Sequence, residues 1–290
     1  MDDLRTDIPA PIGASEPIRF ERLSPALGAV VHGLDLREST DSTIAAIKDG
    51  LETHQVLFFR NQALTPIQQR DFARRFGELH IHPLYPGDLQ VPEIMVLEYD
   101  ETLRGRQNNW HTDVTFIETP PFGSVLYAED IPPTGGDTIW ASTYAAFEAL
   151  SAALQQFLSG LQAVHDFAKN FTPDRFTAYG KDDQASEAYN KHKPVRHPVV
   201  RTNPLSGRRG LFVNRSFTSH IVGLERAESD AILNFLYTHL EIPEFQVRWR
   251  WETGTVAFWD NRFTQHYALS DYFPQHRRVC RATILGDRPV

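Results

Sequence analysis

Three side chains in this sequence carry the chemistry of a metal centre: His111 and Asp113, one residue apart, and His266 about 150 residues later. Residues i and i+2 of a strand point to the same face, so His111 and Asp113 are expected to converge while Thr112 faces away. Two imidazoles and one carboxylate on one side of an ion leave the opposite positions open, the donor set of non-haem Fe(II) centres. Zinc hydrolases use a similar set to activate water, so the ligands alone leave the metal open. A non-catalytic β-barrel binder is a third reading, and only turnover separates it.

A second group of residues narrows the chemistry. Arg277 and Arg281 follow His266 and are four positions apart, so on a strand they share a face. A guanidinium pairs bidentately with carboxylate or sulfonate oxygens. Two on one interior face would repel each other unless anions lie between them, which calls for two anions near one metal. Arg278 falls on the other face and suits a solvated position. Phe116, Phe171 and Phe217 suit an apolar wall, with core packing the default for each. His80 and His82 are read as a loop pair, with one of them reaching the pocket. Trp110 and Trp259 flank the metal motifs as candidate walls.

The elements that must position these residues are short. Pro17 to Phe20, Gly28 to His32, Val56 to Phe59, Glu93 to Tyr99, Val125 to Ala128, Thr138 to Trp140, Phe245 to Trp251, Thr255 to Trp259 and Val279 to Leu285 read as strands. Val195 to Arg201 and Gly210 to Val213 suit a hairpin. Helices are expected at Asp41 to His54, after the Thr65-Pro66-Ile67-Gln68 capping box until Gly77, over Ser142 to Leu161 as one or two segments, and over Glu225 to Leu240. Residues 166–194, polar and aromatic without a clear period, suit a long excursion over a site. Many short strands with a few helices predict a mainly β chain with flanking helices. Residues 1–16 read as a flexible tail and 17–290 as a single domain.

The 290 residues carry a net charge of −8, which argues against a nucleic-acid surface. The lone Cys280 excludes an internal disulfide and suits a reducing cytoplasm. The apolar stretch Ile139 to Val164 is broken by polar residues and is not a membrane span. No targeting segment is read at the N-terminus.

The runs Trp110-His111-Thr112-Asp113-Val114-Thr115-Phe116, Trp259 to Tyr267 and Arg281 to Asp287, with Gly77 to Pro83, Gly135-Gly136-Asp137-Thr138 and Phe245 to Trp251, resemble the bacterial taurine dioxygenases. These belong to the Fe(II)- and 2-oxoglutarate-dependent oxygenases, and the likeness runs from about Gly28 to the C-terminus. It implies a double-stranded β-helix (jelly-roll) core, with iron on His111, Asp113 and His266. It implies 2-oxoglutarate and O2 as co-substrates, with the distal carboxylate of 2-oxoglutarate on Thr138 and Arg277. A sulfonate would be held by His82, Arg281 and the backbone N–H of Val114. The amine of taurine would lie near Tyr85 and Gln107, with Asn170, Phe171 and Phe217 nearby. The products implied are aminoacetaldehyde, sulfite, succinate and CO2. Position 107 is Gln where the compared relative has Asn, and position 170 is Asn where it has Ser, both at the amine end. Alkylsulfatases share the His-Thr-Asp and Trp-Asp-Asn-Arg segments and are the nearest rival; the His80 to Pro86 loop favours taurine. A homo-oligomer, dimer or tetramer, is expected because helices outside such barrels commonly pair.

Overall fold

The computed structural model describes residues 17–81, 87–105, 107–178 and 181–290. Among them, a large sheet runs in the order Arg19–Arg22, Ala29–His32, Val56–Phe59, Val256–Asp260, Gly123–Asp130, Arg277–Ile284 and Leu79–His80, with Ile94–Tyr99 also paired to Arg277–Ile284. A smaller sheet of Gln246–Trp249, Thr138–Ser142 and Thr264–Ala268 faces it. Neighbours in space that are far apart in sequence, such as Val256–Asp260 between Val56–Phe59 and Gly123–Asp130, give the expected jelly-roll core.

Aromatic side chains join the two sheets. Phe58 of the large sheet stacks on Trp249 of the small one at 4.0 Å between ring centroids and meets Trp140 edge-on at 5.4 Å. Trp140 in turn lies 5.8 Å from Trp259. All four are buried, and such pairs add about 0.5–1.5 kcal/mol each beyond the area they bury. This bridge fixes the distance between sheets, and the cavity described below opens at its edge, with Trp140 and Trp259 in its wall.

Helices brace the outer face of the large sheet for reasons readable in their ends. Thr40 caps the helix Asp41–His54 by accepting from the Thr43 N–H, while Ile44, Ile47 and Leu51 pack inward. Gln55, at φ 63°, then reverses the chain directly into Val56–Phe59. The capping box at Thr65 and Gln68 forms as its residues dictate and starts the helix Pro66–Arg74. The buried Gln69 side chain pins that helix to the sheet by donating to the backbone oxygens of Val125 and Cys280.

Elsewhere tertiary pairing overrides local pattern. The segment from Ser142 to Leu161 forms two helices, Thr143–Glu148 and Ala152–Ser159, and the chain continues into a strand, Gln162–His165. The expected hairpin is split. Val195–Pro198 pairs with Gln162–His165, and only Val200–Thr202 pairs with Arg209–Leu211. The stretch 166–194 is more ordered than its lack of period implies. It holds the helices Pro173–Ala178 and Ala185–Lys191, and Phe167, Phe171 and Phe176 pack with Val114, Phe116 and Phe217. No helix among the described residues is long and apolar enough to cross a membrane.

Candidate metal centre and anion pocket

His111 and His266 are joined through their backbones. Each N–H donates to the other's carbonyl, at 3.1 and 2.8 Å, in an isolated antiparallel bridge. His266 itself lies on Thr264–Ala268, paired opposite Trp140. The expected strand through Asp113 does not form. Past His111 the chain turns instead, and Val114 sits at φ 55°, a left-handed conformation that disfavours a β-branched residue.

Asn261 holds that turn. Its side-chain oxygen accepts the Asp113 N–H at 2.9 Å, and its amide donates to the oxygens of Asp113 and Pro121 at 3.1 and 3.2 Å. Thr112 adds a bond from its hydroxyl to the Thr264 oxygen at 2.9 Å. These contacts bring the ligand atoms of His111, Asp113 and His266 within 4.8 Å of one another, all three residues buried.

The protonation states suit a cation. His111 Nδ1 lies 2.8 Å from the Asn109 carbonyl, which only accepts, so Nδ1 carries the proton and Nε2 keeps its lone pair. That Nε2 lies 3.7 Å from Asp113, and His266 Nε2 lies 3.9 Å from it. Burial lowers the pKa of His111 against the pull of Asp113, and burial with the neighbouring His111 pushes His266 down to about 3. Burial works to raise the Asp113 carboxyl, but Arg281 and then the two imidazoles outweigh it and hold it well below the usual range. Two neutral imidazoles and an ionised carboxylate are the state in which these residues ligate a metal.

The two arginines lie where alternation on Arg277–Ile284 puts them, both buried and both lining the cavity around the triad. Arg281 Nη1 donates to both Asp113 oxygens at 3.1 and 3.0 Å. Arg277 has no carboxylate within ion-pair distance among the described residues, and its Nε has no hydrogen-bond partner there. A buried, uncompensated guanidinium of this kind calls for an anion. Thr138 lines the same end, and its hydroxyl accepts from Trp251 Nε1 at 3.0 Å, leaving its own proton to donate. Gly136, at φ 73°, gives Arg277 its room, since a Cβ there would come within 3.1 Å of Nε.

At the far end, Val114, Phe116, Phe171 and Phe217 form an apolar wall, and Gln107 and Asn170 line the cavity beside it. Both amide oxygens are taken by Arg175, at 3.3 Å from Gln107 and 2.8 Å from Asn170. His82 and Tyr85 lie outside the described residues. Arg175, Asn261, Trp251 and Tyr272 join the site without having been singled out from the sequence. Only Asn261 and Trp251 lay within runs already marked.

A family described as "Taurine catabolism dioxygenase TauD, TfdA family" matches residues 19–283. The chain belongs to it. The α-ketoglutarate-dependent sulfate ester dioxygenase of Pseudomonas putida is 39% identical over 91% of this chain and 88% of its own. An α-ketoglutarate-dependent sulfonate dioxygenase of Saccharomyces cerevisiae is 32% identical over 94% of this chain and 68% of its own. The crystal structure of a taurine dioxygenase from Burkholderia xenovorans superimposes with a TM-score of 0.80 at 39% identity, covering 94% of this chain and 92% of that one. The protein is thus a 2-oxoglutarate-dependent dioxygenase of the kind that uses Fe(II) and O2. Relatives of equal similarity are named for different sulfur compounds, so membership does not select taurine.

Proposed function

We propose that the protein oxygenates the carbon next to the sulfur-bearing head of a sulfonate or sulfate ester, with 2-oxoglutarate as co-substrate. The observation that carries this reading is the pair of buried arginines on one strand face beside the triad. Arg277, with no ion-pair partner among the described residues, and Thr138, with a proton to donate, suit the distal carboxylate of 2-oxoglutarate. Arg281, already on Asp113, suits the substrate's anionic head close to the metal ligands, with the Val114 N–H as a further donor. His111, Asp113 and His266 would hold iron. Bound iron supplies the oxidising power that O2 and 2-oxoglutarate generate together.

The chain's own residues set where that power is applied. A head group held at Arg281 lies beside Asp113, so the adjacent C–H is presented toward the triad, and positioning of this kind accounts for several kcal/mol of rate. The phenylalanine wall keeps the remaining chain dry and extended away from the centre. Hydroxylation of that carbon leaves sulfite or sulfate as the leaving group and an aldehyde behind. Taurine, the substrate named by the sequence resemblance, is one member of this class. Sulfate esters are another, supported by the relative from Pseudomonas putida.

Anaerobic loading with Fe(II) and 2-oxoglutarate, then O2 with a panel of sulfonates and sulfate esters, tests the reading. Succinate with one equivalent of sulfite or sulfate is expected. Absence of both sulfur anions across the panel would overturn it.

A further inference from the structure

We propose that Arg175 is a specificity-determining residue, which excludes substrates carrying an ammonium at the end opposite the sulfur group and selects those with an uncharged tail. This rests on the proposed reaction at the same site.

Three observations point the same way. First, Arg175 stands on the short helix Pro173–Ala178, half-buried, with its Nε buried and without a hydrogen-bond partner, and no carboxylate pairs with it among the described residues. Among the described residues no ion pair cancels its charge. Second, it takes the amide oxygens of both Asn170 and Gln107, the two polar residues at the far end of the cavity, at 2.8 and 3.3 Å. An ammonium that hydrogen-bonded to those oxygens would share them with a guanidinium and lie against its charge. Third, the surrounding wall is aromatic: Phe171 lies under Arg175 at 5.1 Å and packs near Phe116 and Phe217 at 6.0 and 6.3 Å. The face that would be left to a cation by cation–π attraction is occupied on Phe171 by Arg175 itself.

Charge and lining thus agree. An ammonium hydrogen-bonded at those amides would sit roughly 5–6 Å from the guanidinium, and in a half-buried setting repulsion at that range corresponds to about a 10- to 100-fold loss of affinity. A methyl group at the same position brings no charge against the guanidinium and packs on the aromatic wall. The longer Gln107 and Asn170 side chains, which resemblance alone would assign to an amine, are here the arms by which Arg175 is held in place.

Taurine and propane-1-sulfonate are the pair that reads this out, because they differ only in ammonium against methyl. Their binding to protein loaded with Mn(II) and 2-oxoglutarate is measured by calorimetry, in wild type, Arg175→Gln and Arg175→Lys. The wild type is expected to bind propane-1-sulfonate at least about tenfold more tightly. Arg175→Gln should bring the ratio toward one, and Arg175→Lys, which keeps the charge, should preserve most of it. A wild type that binds taurine as tightly as propane-1-sulfonate overturns the inference alone, without need of any variant. An unchanged ratio in folded Arg175→Gln does the same. If neither these nor alkyl sulfates bind at all, the functional reading falls and this inference with it.

Discussion

Replacing Asn261 by alanine tests whether the turn at Asp113 is held from across the fold. Its side chain makes three hydrogen bonds, to the Asp113 N–H, the Asp113 oxygen and the Pro121 oxygen, in a fully buried position. A hydrogen bond contributes about 1 kcal/mol net, and a buried group left without a partner costs about 1–3 kcal/mol. Three such groups, with some relief from water entering the space, predict a loss of roughly 3–4 kcal/mol in urea unfolding. The turn also includes Val114 in a left-handed conformation, and its relaxation would move the Asp113 carboxylate away from the imidazoles. Loss of such a supporting contact typically lowers metal affinity about 10- to 100-fold. Both quantities are measurable on one preparation, by denaturation of the apoprotein and by anaerobic titration with Co(II). A folded variant with unfolding free energy within about 1 kcal/mol of wild type and unchanged Co(II) affinity would show that Asn261 does not hold the turn.

Two further outcomes follow from other parts of the molecule. Arg277→Ala is expected to weaken 2-oxoglutarate binding much more than sulfonate binding, and Arg281→Ala the reverse; equal losses in calorimetry would show that the two anions are not divided between them. His197 is buried, donates from Nε2 to the oxygens of Thr115 and Ile117 at 2.9 and 3.0 Å, and is pushed by burial down from 6.5 to about 4. The unfolded chain therefore binds a proton that the folded one refuses, so this stabilisation is whole above pH 6.5 and is lost as pH falls toward 4, on the order of 3 kcal/mol in total. His197→Gln keeps a donor and removes the titration, so its stability should fall less steeply between pH 7 and pH 4.5; an identical slope would discount the histidine.

The candidate centre was legible in part, because His111 with Asp113 and Arg277 with Arg281 are marked by side-chain type and short spacing, while His266 lies about 150 residues further on. Imidazoles, a carboxylate and two arginines announce themselves, and alternation on Arg277–Ile284 places the arginines on one face without help from the rest of the fold. The capping box at Thr65 is equally local. The conformation at Asp113 was not legible. Val114 is a strand former by propensity, and what turns the chain there is an asparagine 148 residues from Asp113. Arg175 is hidden for the same reason. Its partners are 5 and 68 residues away, and nothing in the polar stretch around it marks its direction. The split hairpin followed from competition, since Val195–Pro198 found a partner in Gln162–His165 that no local pattern names.

His111, Asp113 and His266 are the proposed iron site. Anaerobic titration of Fe(II) into wild type, Asp113→Ala and His266→Ala measures it directly. One tightly bound iron per wild-type chain, lost or greatly weakened in both folded variants, is the predicted result. A folded Asp113→Ala that binds iron with wild-type stoichiometry and affinity would contradict it.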